Sequence, residues 1–123
     1  MEEELLKVLY KEMVNVLKLN YEYMEWTGEL VYPYITGEHF TNYYDIATGL
    51  LQGEMLLEVW TRGKELELVQ VHDKIQSHFK KFVTMSNKMG VCITYKNKSA
   101  ARTGDMDLKK IQINLETRCW KGE

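Results

Sequence analysis

The residues that could carry chemistry are three histidines, two cysteines and a few carboxylates. His72 and His78 lie six residues apart in a segment with helical periodicity, so they do not share a helix face. His72 falls on the apolar stripe of that segment, which favours a buried core histidine. Glu38 and His39 are neighbours on an extended segment, so their side chains point to opposite faces. None of these spacings matches a set of metal ligands.

Cys92 and Cys119 lie singly on predicted strands and form no CxxC motif. We expect reduced, buried thiols in an intracellular protein, with a cross-strand disulfide as the alternative. Glu54 and Glu58 share one face of a strand, where paired acids are normally solvated. No Gly-rich phosphate loop is present. The sequence therefore predicts no catalytic, metal-binding or cofactor-binding residue and a protein that is not an enzyme.

Composition predicts one globular domain spanning residues 1–123, with 45% apolar and 28% charged residues. No apolar run approaches the ~20 residues that span a bilayer, and the acidic start Met-Glu-Glu-Glu does not resemble a secretory signal. We therefore expect no membrane association. We also expect no sequence-specific nucleic-acid binding, because the basic residues are dispersed.

Charge is distributed unevenly along the chain. Residues 1–60 hold three lysines and eleven acids, a net −8, whereas residues 61–123 hold thirteen lysines and arginines and seven acids, a net +6. One interpretation is that the halves interleave in the fold and cancel. The other is that surfaces of opposite sign allow copies to associate head to tail.

Periodicity predicts the elements that position these groups. We expect an α+β fold in the order α-β-β-α-β-β, with two helices on one face of an antiparallel or mixed sheet of about four strands. The predicted helices are 2–19 and 64–82, the predicted strands are 30–35, 50–60, 91–96 and 108–121, and polar loops are predicted at Thr41–Gly49 and Asn97–Asp107.

The strand at 50–60 is apolar on both faces. One face carries Leu51, Met55 and Val59, and the other carries Leu56 and Trp60 among polar residues. The last strand adds Trp120 to that second face. This surface could be a protein interface, or it could be covered within the subunit by Trp26, Tyr32 or Tyr34.

Two motifs carry a family resemblance. The order Val-Tyr-Pro-Tyr-Ile-x-Gly-Glu at Val31–Glu38, then Gly-x-x-x-x-x-Val-Trp-Thr-Arg at Gly53–Arg62, then an amphipathic helix, resembles tail terminator (tail-completion) proteins of long-tailed bacteriophages. The resemblance covers nearly the whole chain in order, on few shared residues.

The resemblance implies a virion protein of the tail, assembled in the bacterial host cytoplasm. It implies a hexameric ring on the end of the tail tube. The free subunits could be monomeric in dilute solution. Its partners would be the tail tube protein and a head–tail connector protein. The candidate interface residues, taken from the outward apolar positions, the second motif and the two predicted loops, are Leu56, Trp60, Arg62, Tyr43, Tyr44, Lys98, Arg102 and Trp120.

Two alternatives stay open. One is another neck or tail subunit of similar build. The other is a small ligand-binding or enzymatic α+β domain, in which the aromatic-rich segment Tyr21–Tyr44, with eight of the fourteen aromatic residues, lines a pocket.

Overall fold

The computed structural model describes residues 2–101 and 103–121. Helix α1 spans Glu2–Tyr10 and continues as a π-helical segment at Lys11–Val16, and helix α2 spans Glu65–His78. The strands are β1 (Tyr21–Tyr23), β2 (Tyr34–Asp45), β3 (Leu50–Arg62), β4 (Phe82–Ser86), β5 (Met89–Ala101) and β6 (Leu108–Lys121). They form one mixed sheet in the spatial order β1-β2-β3-β6-β5-β4.

The central pair, β3 and β6, is antiparallel and runs in register from Leu51 opposite Cys119 to Arg62 opposite Leu108. Strand β2 flanks β3, and β5 flanks β6, both antiparallel. Only β1 pairs in parallel, through three residues beside Ile35–Gly37 of β2. The predicted alternation of β3 is confirmed, because Leu51, Met55, Leu57 and Val59 are buried while the intervening side chains are partly exposed.

Both helices pack on the same face of the sheet, which we call the helix face. Leu5, Leu9 and Met13 from the first helix join Leu68, Val71 and Ile75 of α2 in one hydrophobic core. The core residues of β3 and β6 point toward them. The opposite face, here the open face, has no helix packed on it in residues 2–101 and 103–121.

The predicted fold is wrong in strand number and order. The sheet has six strands rather than about four, and the chain reads α-β-β-β-α-β-β-β. Strand β1 is three residues long, too short for a period of two to show. Strand β4 begins at Phe82, which continues the helical spacing of Ile75 and Phe79, so the periodic pattern of α2 overruns its true end at His78.

The predicted loops are also largely wrong. Strand β2 continues through Thr41–Asp45, and β5 continues through Asn97–Ala101. Short connections, which include residues 46–49 and 103–107, therefore replace the two long loops. These strand ends are polar and exposed because each lies at an edge of the sheet or beyond the reach of the helices. Such positions need no apolar alternation, and sequence periodicity therefore misses them.

The first helix is shorter than its predicted span of 2–19. Regular α-helix ends at Tyr10, and the π-helical segment ends at Val16. Lys18 then takes a positive φ of 58°, which turns the chain toward β1. No helix in the described part of the chain is long and apolar enough to cross a bilayer.

The two cysteines lie on opposite faces of the sheet. Cys119 faces the core from β6, and Cys92 is opposite Arg118 on the open face. Side chains on opposite faces point away from each other, so this geometry does not place the two thiols for a disulfide. Burial raises the pKa of the Cys119 thiol to about 11.

We expect the two thiols to react at very different rates. At pH 8 a thiol with a pKa of about 11 is about one part in a thousand thiolate, the reactive form, and Cys119 is also shielded by the core. Folded protein should therefore lose one thiol to a disulfide reagent quickly and the second only on unfolding. The Cys92→Ser variant, as the control, should show almost no fast phase. A fast reaction of Cys119 in that variant would contradict the buried placement.

Candidate assembly surface

An aromatic cluster lies at one end of the open face. Tyr34 of β2 is opposite Trp60 of β3, and their rings stack with centroids 6.0 Å apart and an interplanar angle of 12°. Trp26 and Tyr32 pack on Tyr34 at centroid distances of 5.3 and 5.5 Å. Each such pair contributes roughly 0.5–1.5 kcal/mol beyond area burial.

Two cations cover this cluster. The Lys110 Nζ lies 4.5 Å from the centre of the Trp60 ring and 2.8 Å from Glu58 Oε2. The Arg62 guanidinium lies 5.8 Å from the Tyr32 ring centre and pairs with Asp105 at 3.2 Å. The pKa of Arg62 is raised mainly by the Tyr32 hydroxyl and, to a smaller extent, by Asp105. Trp60 thus contacts side chains of its own subunit, Tyr34 among them, while its ring stays partly exposed.

The middle of the open face is a layer of paired charges. Lys96 Nζ lies 2.8 Å from Glu54 Oε1 and 3.9 Å from Glu116 Oε1. The hydrogen bond from Lys96 to Glu54 raises the pKa of the lysine. Asn114 Nδ2 donates to Asn97 Oδ1 at 2.8 Å. The acids of β3 therefore meet bases of the second half of the chain, so the opposite charges of the two halves cancel here.

The predicted interface residues do not form one patch. Trp60 and Arg62 meet in the aromatic cluster, and Leu56 lies partly exposed further along β3, opposite Asn114. Trp120 is at the far end of the sheet, where its ring lies so close over Gly90 of β5 that a Cβ at that position would clash with the ring.

The remaining predicted interface residues lie elsewhere. Tyr43 is on the open face at the end of β2. Tyr44 and Lys98 point to the helix face at opposite edges of the sheet. Arg102 lies outside the described residues.

Sequence reasoning missed two features of the structure. Lys110 continues the alternation Gln112, Asn114 and Glu116 on β6, so the outward pattern could have included it. The other feature is a buried hydrogen-bond network around His39, whose partners lie 37 and 78 positions away in the chain. No local pattern could have revealed that network.

The network joins the start of α1 to the sheet. His39 Nδ1 lies 2.9 Å from Glu2 Oε2, and His39 Nε2 lies 2.9 Å from Thr117 Oγ1. Gly53 makes room for the ring, because a Cβ there would come 2.8 Å from Nε2. The order carboxylate, imidazole, hydroxyl matches the hydrogen-bond chain of a nucleophilic triad. Thr117 is only 3% exposed, so a substrate cannot reach its hydroxyl, and the network is structural.

The other histidines also have buried or half-buried partners. His72 Nε2 lies 2.7 Å from the Tyr95 hydroxyl, and His78 Nε2 lies 2.9 Å from Glu12 Oε1. The expectation that His72 is a core residue is confirmed. Within the described ranges, no group of three or more His, Cys, Asp or Glu residues could hold a metal ion.

We expect Thr117→Val to destabilise the fold by about 1–3 kcal/mol, because it leaves one ring nitrogen of buried His39 without a partner. Thr94→Val is the matched control. Thr94 is on the open face, and its hydroxyl has only a weak contact, 3.7 Å, with Cys92 Sγ. That change should cost less than about 0.5 kcal/mol. Urea unfolding measures both, and equal costs would contradict the role given to the network.

We expect Lys110→Ala to cost about 1–2 kcal/mol, because it removes both the cation over Trp60 and the pair with Glu58. Lys109→Ala should cost less than about 0.5 kcal/mol, because Lys109 makes only a 3.7 Å pair with the exposed Glu65. Thermal unfolding of the two variants gives the comparison. Equal stability would mean that the cation over the cluster contributes nothing.

Two comparisons with known proteins found no relative. No family model matches the chain, and no curated protein matches it.

Proposed function

We propose that the chain is a non-enzymatic virion assembly protein, a tail terminator subunit. Copies form a ring that ends the tail tube and offers the surface to which the head is joined. The ring is hexameric, and its partners are the tail tube protein and a connector protein of the head. Its site of action is the tail of the virion, assembled in the cytoplasm of the bacterial host.

The observation that carries this proposal is the position of the two most exposed large apolar side chains among the described residues. Ile46, in the connection between β2 and β3, is 85% exposed, and Met106, in the connection between β5 and β6, is 89% exposed. Register places these connections at opposite ends of the sheet, because Leu51 is level with Cys119 and Arg62 with Leu108. A subunit between a tube and a head needs a separate contact at each end, and exposed apolar tips fit such contacts.

The residues of the two motifs support a structural role. Tyr32 and Tyr34 from the first motif lie against Trp60 and Arg62 from the second. These four residues of the two motifs thus form one contact cluster that fixes β2 on β3.

A small-molecule-binding domain is the second candidate, favoured by one groove. A cavity of about 680 Å³ lies between α2 and the β5–β6 hairpin, with Leu68, Val69, Ala100 and Ile111 among its lining residues. The aromatic segment 21–44 does not line a single pocket. Tyr21 is buried on the helix face, while Tyr34 lies on the open face. Binding of apolar ligands in this groove, with no assembly, would favour this alternative.

We expect deletion of the gene in the phage that encodes this chain to yield tails that carry no head and have tubes of irregular, excessive length. Purified protein, at high concentration or on tubes, should form rings with a mass about six times 14.6 kDa. Electron microscopy of the lysate and of the protein measures both. Plasmid-borne wild-type gene should restore normal tails. Normal tail length and head joining without the gene would refute the proposal.

A further inference from the structure

Both edges of the sheet contain backbone without a strand partner. Along β2, the segment from Phe40 to Asp45 pairs only with β3, because β1 covers no residue beyond Gly37. Along β5, the segment from Asn97 to Ala101 pairs only with β6, because β4 covers no residue beyond Ile93. Unpaired N–H and C=O groups on an edge strand are a template for another strand.

The two edges carry opposite charge. Exposed Glu25 and Glu38 lie at the β1–β2 edge, and Asp45 ends β2. Exposed Lys80 and Lys81 precede β4, and Lys98 lies on the free part of β5. None of these six side chains forms an ion pair within residues 2–101 and 103–121, in contrast to the paired acids and lysines at the centre of the sheet.

The strand directions allow two copies in the same orientation to join edge to edge. Strand β2 is antiparallel to β3, β3 to β6 and β6 to β5, so β2 and β5 run in opposite directions. When a second copy lies beside the first in the same orientation, its β2 meets β5 as an antiparallel neighbour. The helix faces of the two copies also lie on the same side of the joined sheet, because Tyr44 and Lys98 both point to the helix face.

The free segments are staggered along the sheet. Tyr44 of β2 is level with Leu51, Cys119 and then Val91 of β5, about six residues from Lys98. To bring the two free segments together, the second copy must be displaced by ~20 Å along the strand direction. Across the sheet, the four strands β2, β3, β6 and β5 of one copy occupy ~19 Å. The resulting strand tilt of about 45° is close to the tilt of closed barrels. A repeated heterologous contact of this kind forms a ring when the rotation between neighbours closes, and an open chain when it does not.

We propose that the acidic β2 edge of one copy pairs antiparallel with the basic β5 edge of a second copy, and that this contact builds the assembly. Each edge is thus occupied by another copy of this chain. The inference rests on the proposed function, in that both require self-association, and it identifies the surface used. The competing interpretation is that the edge lysines and the bulge after Thr41 keep both edges unpaired, as in many monomeric proteins.

Charge reversal tests the proposal with two variants. Variant A carries Asp45→Lys and variant B carries Lys98→Glu, because these are the charged residues of the two free segments and the shift places them side by side. Each alone brings like charges together and should raise the concentration needed for assembly at least tenfold. An equimolar mixture pairs each reversed edge with the other and should assemble within about threefold of wild type, as rings with alternating copies. The control Lys64→Glu changes the charge of an exposed position away from both free segments and should behave as wild type.

Analytical ultracentrifugation at 0.1 M and 1 M salt, with electron microscopy of the assemblies, measures these outcomes. Wild-type assembly should weaken at the higher salt. Assembly of A or B at wild-type concentrations, or a mixture no better than its components, overturns the edge contact while leaving the ring function standing. If the protein instead forms open linear assemblies that respond to these charge reversals, the edge contact is supported and the ring function is contradicted. A wild-type protein that stays monomeric at millimolar concentration, also with tubes present, overturns the inference.

Discussion

The structure depends on the antiparallel pairing of β3 with β6. These strands, from opposite halves of the chain, stay in register from Leu51 opposite Cys119 to Arg62 opposite Leu108. Their helix-face residues, Met55, Leu57, Ile113 and Leu115 among them, are fully buried. Long-range pairing of this kind fixes which side chains face the core, since a slip of one residue would exchange the two faces. The flanking strands and both helices are placed by this register.

Around that pair, the molecule buries polar groups only where each has a partner. His39 is held between Glu2 and Thr117, and the space for its ring exists because position 53 is glycine. Thr61, also buried, donates to Glu67 of α2 at 2.9 Å. Among the described residues, no buried side-chain nitrogen or oxygen atom lacks a hydrogen-bond partner. These contacts tie the helices to the sheet at defined positions, which apolar packing alone specifies less well.

The distribution of charge follows from strand order. The acidic half of the chain supplies β1, β2 and β3, and the basic half supplies β4, β5 and β6, so the halves meet at the β3–β6 pair. Around this pair, Glu54 pairs with Lys96 and Glu58 with Lys110. At the edges the halves separate, with Glu38 on one side and Lys98 on the other. The halves therefore do not interleave, although their charges still cancel where they meet. Cancellation holds across β3, β6 and β5, and opposite signs remain where no partner strand is present.

Sequence by itself determined the strongly periodic elements: the alternating strand β3, the alternation of β6, and the apolar stripe of α2 with His72 on it. Periodicity is a local property, and these elements each bury one face over many residues. It did not determine β1 or β4, the ends of β2 and β5, or the partner of Trp60. A three-residue strand shows no period, and an exposed edge strand is held by backbone hydrogen bonds that any residue except proline can make. Tertiary structure alone decided that Trp60 stacks on Tyr34, that His39 reaches Thr117 and that the two charged edges lie on opposite sides, because each depends on which distant strands become neighbours.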